Sequence, residues 1–157
     1  MQSVAYRFIF EEARRQKPHC SMAVNWCFNE PWPCIANNSL VCYPNSPKPA
    51  LNDVTLACRS VLASARYRKL KHKANEVLEI DLFMLNDGVE LIKGDTVGVF
   101  IKVGDANAVH IIDWKFPDLE ANKNYEGPTL RYILPDVPDA ETLKIILLNI
   151  RYFMKVR

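Results

Sequence analysis

Asp113 and Lys115 stand two residues apart at the end of an apolar run, Val109 to Phe116, and Asp95 heads another such run 18 positions earlier. A carboxylate is a good ligand for a hard divalent cation. A lysine beside it can hold an attacking water or neutralise charge developing on a phosphate. Side chains alternate across a strand, so Val109, Ile111, Asp113 and Lys115 are expected on one face. His110, Ile112, Trp114 and Phe116 are expected on the other, with His110 packed rather than acting as a base. An antiparallel pairing of residues 96–103 with 109–116 would bring Asp95 beside Asp113 as a second ligand. The bland alternative makes Asp113 and Lys115 a salt-linked surface pair, and Lys93-Gly94-Asp95-Thr96 an ordinary turn before a strand.

This stretch resembles the PD-(D/E)xK nuclease superfamily, especially its RecB-like and viral exonuclease branches, over residues 77–116. In those branches an acid on one strand is followed, after a hairpin, by an apolar strand ending in Asp/Glu-x-Lys. The resemblance implies Asp95 and Asp113 as metal ligands, Lys115 with Asp113 as catalytic residues, and Mg or Mn as the cofactor. The chain departs from the pattern in two places. Residues 54–65 carry no acid where those nucleases often place a helical glutamate, and the Gln and Tyr of a following helix are not matched. Glu11, Glu12, Glu79 and Asp81 are the acids left to complete a site.

Other residue groups invite other chemistry. Arg66, Arg68, Lys69, Lys71 and Lys73, with His72, form the densest basic cluster. They could meet nucleic-acid phosphates or be the solvated end of a helix. The net charge of +2 is too small for bulk electrostatics to announce nucleic acid or membrane. Trp26, Phe28, Trp32 and Tyr43 could stack bases or form a protein-contact patch. Cys20, Cys27, Cys34 and Cys42 are separated by six, six and seven residues. Zinc sites open with shorter gaps, so zinc is not expected and free thiols are. No phosphate-binding glycine loop is present.

The elements that would position these groups follow from periodicity. Residues 3–16 are expected as a helix. Residues 17–52 hold six of the ten prolines and should be irregular, packed rather than dangling. Val54, Ala57, Val61, Leu62 and Ala65 recur at helical spacing, predicting a helix over 52–72 capped by Asn52 or Asp53. Strands are expected over 77–85, 96–103 and 109–116, with a short apolar run at 89–92. Residues 118–139 should be polar and proline-punctuated. Residues 140–156 carry an apolar helical stripe, with a strand at 143–148 as the competing reading.

Length and composition suit one globular domain, 1–157, with an irregular segment over 17–52 and the main core over 53–157. The expected class is α+β, a central, mainly antiparallel sheet flanked by helices. No signal peptide or long apolar segment is seen, so a soluble intracellular protein, cytoplasmic or nuclear, without membrane contact is the default. Two functions are carried forward. One is a metal-dependent nuclease hydrolysing phosphodiester bonds. The other is a non-catalytic structural or adaptor protein that binds nucleic acid, protein or its own copy; compactness and cysteine use suit a viral protein of that kind.

Overall fold

The computed structural model describes residues 2–34, 36–137 and 142–149. Two compact units divide the chain, Met1–Ser60 and Val61–Arg157. The class is mixed α+β with mostly sheet, every strand pairing antiparallel. No helix among the described residues is long and apolar enough to cross a membrane.

The first unit holds helix α1, Gln2–Arg15, and a two-residue pairing of β1, Val41–Cys42, with β2, Ser46–Pro47. Helix α2, Pro49–Ala57, packs against α1. Proline in the first turn suits a helix start, since that N–H needs no intrahelical acceptor. The helix expected over 52–72 is therefore earlier and shorter. It stops because the next residues alternate with period two: Val61, Ala63 and Ala65 pack on the core of the second unit. The cluster Arg66, Arg68, Lys69, Lys71 and Lys73 thus belongs to a strand end and a loop, not to a helix.

The second unit pairs two three-stranded sheets around one core. One sheet runs β3 (Val61–Arg66), β4 (Val77–Asn86), β7 (Asn124–Ile133). The other runs β6 (Val109–Phe116), β5 (Asp95–Val103), β8 (Leu143–Leu148). Leu78, Ile80, Leu82 and Met84 meet Val97, Val99, Ile101, Trp114 and Phe116 in the buried centre. Trp114 reaches across to stack on Tyr125 of β7, centroids 6.2 Å apart and planes 11° from parallel. Gly127 makes room for it, since a Cβ there would collide with the indole ring. Each sheet thus covers the other's apolar face, the part expected of flanking helices.

Two further expectations shift. Residues 124–133, within the stretch expected as polar and proline-punctuated but for the apolar run Leu130 to Leu134, form the strand beside β4, with a register shift opposite Asp81–Phe83. Residues 143–148 are a strand rather than the first part of a helix, and pair with β5 from Val103↔Leu143 to Gly98↔Leu148. The strand face wins because Leu143, Ile145 and Leu147 pack on the core. Residues 140–141 and 150–156 of the expected helix lie outside the described residues.

Asn86 pins the loops at one end of this unit. Its buried amide nitrogen donates to the Glu90 and Glu120 carbonyls at 2.9 and 2.8 Å, and its oxygen accepts from Gly88 N–H at 2.9 Å. Asp118 accepts from Gly94 N–H and from Lys93, each at 2.7 Å, and these donors hold its carboxyl below the usual carboxylate range.

Candidate nucleic-acid interface

Strand register decides where Asp95, Asp113 and Lys115 stand. Asp95 pairs with Phe116, Gly98 with Asp113, and Thr96 with Lys115. Asp95 shares the strand face of the core residues Val97, Val99 and Ile101, and its carboxylate accepts from Thr96 N–H at 2.8 Å. Asp113 and Lys115 lie on the opposite, exposed face with Thr96 and Gly98. Three residues of strand, about 10 Å, and the thickness of the sheet separate the carboxylates. The hairpin therefore brings Asp113 and Lys115 together and leaves Asp95 apart from them. Among the described residues no group of three or more His, Cys, Asp or Glu side chains could hold a metal ion. Among the described residues no second carboxylate converges on Asp113.

A β-bulge changes the other expected face assignment. Val99 pairs with Ile112 but Phe100 with His110, so Ile111 is an extra residue in the edge strand β6. Bulges of this kind re-aim side chains. Here His110 turns to the Asp113 face, where its Nε2 lies 2.9 Å from Asp113 Oδ1. Its ring also packs at 4.9 Å on Phe100. Phe100 in turn leans over Gly98, where a Cβ would meet its ring edge at 2.9 Å.

The third strand completes this face. Lys102 stands directly opposite Lys144, Phe100 opposite Ile146 and Gly98 opposite Leu148. The outer surface of β6-β5-β8 therefore has lysines at both ends, Lys115 at one and Lys102 with Lys144 at the other. Between them lies a floor of Phe100, His110, Ile146 and Leu148. Asp113 is its only carboxylate among the described residues, 65% exposed and engaged by His110. No described acid pairs with Lys102, Lys115 or Lys144. The face can hold an anionic polymer by its ends and offer rings and methyl groups to flat, apolar parts between.

The expected basic cluster is less uniform than its sequence. Arg66 pairs with Asp81 at 3.3 Å and lies over the Phe83 ring at 5.0 Å. Thr129 donates to Asp81 at 2.7 Å; with the Arg66 hydrogen bond this depresses the Asp81 carboxyl. Lys69 pairs with Glu76, which also accepts from Lys73 N–H at 3.0 Å, so Glu76 is depressed as well. Arg68, Lys71 and Lys73 keep exposed side chains; Arg68 contributes only a through-space attraction to Asp81. Arg66 and Lys69 are thus committed to folding the loop.

In the first unit, Glu30 is buried and accepts from Ser39 Oγ and Lys48 Nζ at 2.9 Å and from Tyr43 N–H at 3.1 Å. Lys48 most of all, then Ser39, lowers the Glu30 pKa, and Glu30 raises that of Lys48. The five cysteines are free thiols.

Sequence reasoning passed over His110 as a residue of the Asp113 face, and Phe100 and Lys102 altogether. Lys144 was hidden by the helical reading of its segment. The strand reading of 143–148 was the only signal that could have exposed its pairing with Lys102. No family model matches the sequence, and no curated protein is significantly similar to it.

Proposed function

We propose that this protein is a non-catalytic nucleic-acid-binding module that contacts single-stranded nucleic acid through the outer face of β6-β5-β8. The observation that carries the reading is the cross-strand pair Lys102 and Lys144, like charges directly opposite with no described acid to relieve them. Such pairs destabilise a sheet, and a bound phosphate reverses the sign of the interaction. Supporting it is the ring pair Phe100–His110 on the same face, since sheet-borne aromatic residues stack bases without needing sequence. Arg68, Lys71 and Lys73 add a second patch for the backbone. The separation of Asp95 from Asp113 weighs against phosphodiester hydrolysis as the role of this face.

The test is fluorescence anisotropy with a labelled single-stranded 12-mer, for wild type and Lys102→Gln/Lys144→Gln. Salt-dependent binding that the variant loses supports the reading. Equal binding by both proteins refutes it for this face. Metal-dependent cleavage with Mn²⁺, lost in Asp113→Ala and Lys115→Ala, would return the weight to a nuclease.

A further inference from the structure

Between Lys17 and Lys48 the only formally charged side chain is Glu30, and it is buried and hydrogen bonded to Lys48. Within that stretch apolar side chains point to solvent at every second position. Met22 is 76%, Val24 77%, Trp26 85% and Phe28 61% exposed. The intervening Ala23, Asn25 and Cys27 are half-buried. The segment thus has the two-residue alternation of a strand, but with the apolar row turned outward.

Its main chain is also unpaired as far as Cys27, whereas the Phe28 carbonyl accepts from Leu40 and Val41 N–H at 2.9 and 3.0 Å. No backbone N–H of residues 21–27 donates to another main-chain group among the described residues. The carbonyls of Met22 and Cys27 accept only local side-chain donors, Cys20 Sγ at 3.6 Å and Asn25 Nδ2 at 2.9 Å. A row of free donors and acceptors is a template for another strand.

We infer that residues 21–28 form a homodimer interface, pairing with the same segment of a second copy of this chain about a twofold axis. Three features favour a second copy. In a twofold interface each residue near the axis faces its own kind, so a surface charge would meet its like; this stretch has none on its surface. A free antiparallel edge is its own complement in the same way. The area also fits: at ~200 Å² per aromatic side chain, and less for Met and Val, the four residues supply on the order of 500 Å². That is most of the ~800 Å² per partner of a standard interface, and the rim can supply the remainder. Nucleic acid is a poor occupant, because no lysine or arginine lies between Lys17 and Lys48 to meet a phosphate.

The inference is independent of the nucleic-acid reading, which concerns the second unit. Its test is light scattering coupled to size exclusion at 5–200 μM, for wild type, Trp26→Ser/Phe28→Ser and Met22→Ser/Val24→Ser. Wild type should reach twice the 18.0 kDa of the chain. Both variants should remain monomeric, with wild-type circular dichroism and melting temperature in dilute solution. The substituted side chains are exposed in the single chain, so two different pairs guard against an isolated folding defect. A wild-type monomer throughout the range overturns the inference, as does a dimer that persists in both variants. Flotation of a monomeric wild type with neutral phosphatidylcholine vesicles also overturns it, by making the ridge a lipid-inserting edge.

Discussion

Removing one lysine from the Lys102–Lys144 pair should stabilise the free protein and weaken its binding, an opposition of sign that few surface substitutions give. Residues directly opposite in an antiparallel pair have Cβ atoms ~5 Å apart, and flexible ammonium heads can spread to roughly 6 Å. At that distance two unit charges repel by about 0.7 kcal/mol in water. Screening at 0.1 M salt reduces this to about 0.4 kcal/mol. Lys102→Gln or Lys144→Gln should therefore raise the melting temperature by about 2 °C for a domain of this size. The double variant should gain no more than either single one, because one repulsion cannot be removed twice. Binding should move the other way. Each lost phosphate contact on a single strand lowers the slope of log K against log salt by about 0.7 and costs roughly fivefold in affinity at 0.1 M. Thermal melts with and without a 12-mer, together with an anisotropy salt series, measure both arms. A single variant that melts lower than wild type would refute the unrelieved pair. Unchanged slopes would refute the phosphate contact.

Asp113→Asn should tighten nucleic-acid binding about two- to fivefold at low salt, since it removes the one carboxylate from the described face; a metal-dependent nuclease would instead lose its activity, which a cleavage assay distinguishes. Asn86→Ala should cost about 2–4 kcal/mol in chemical denaturation, because it removes the donor to the Glu90 and Glu120 carbonyls and the acceptor of Gly88 N–H, at about 1 kcal/mol per bond. The Glu30 carboxyl is held below the usual carboxylate range by Lys48 and Ser39, so its contribution is present above that range and fades as pH falls through the folded value. Lys48 is raised above 10.5, so its contribution is present below that pH and is lost as pH climbs through its folded value. Melting temperature against pH should therefore show an acid limb that Glu30→Gln flattens, with the contribution of this pair full and independent of pH across the neutral range.

The parts of the fold legible in the sequence were those set by local pattern. Alternation in Val77–Leu85, Thr96–Val103 and Val109–Phe116 announced β4, β5 and β6, and the short turn between the last two announced their hairpin. Residues 61–66 and 143–148 were harder for a physical reason. Val61, Leu62 and Ala65 fit a helical face if taken with Val54 and Ala57, and Leu143, Ile146, Leu147 and Ile150 fit one too. Whether such a run becomes helix or strand is decided by the partner available, here β4 and β5, and no local window contains that partner. Helix α2 ends at Ala57 where strand pairing offers the following residues more burial.

The candidate site shows the same dependence at finer scale. Asp113 and Lys115 were paired correctly because the intervening Trp114 preserves simple alternation. Asp95 fell away because its register partner is Phe116 and not Asp113, and register is a property of two strands. His110 changed faces because one extra residue, Ile111, sits in β6, and nothing in the run Val109-His110-Ile111-Ile112 marks which residue bulges. Lys102 and Lys144 are 42 positions apart and meet only through β8. Chemistry that depends on two adjacent residues of one strand is thus readable from sequence. Chemistry that depends on three strands emerges only after pairing. In the described part of this three-strand face the lysines are held apart at the two ends, while the one described carboxylate, Asp113, is engaged by the His110 imidazole.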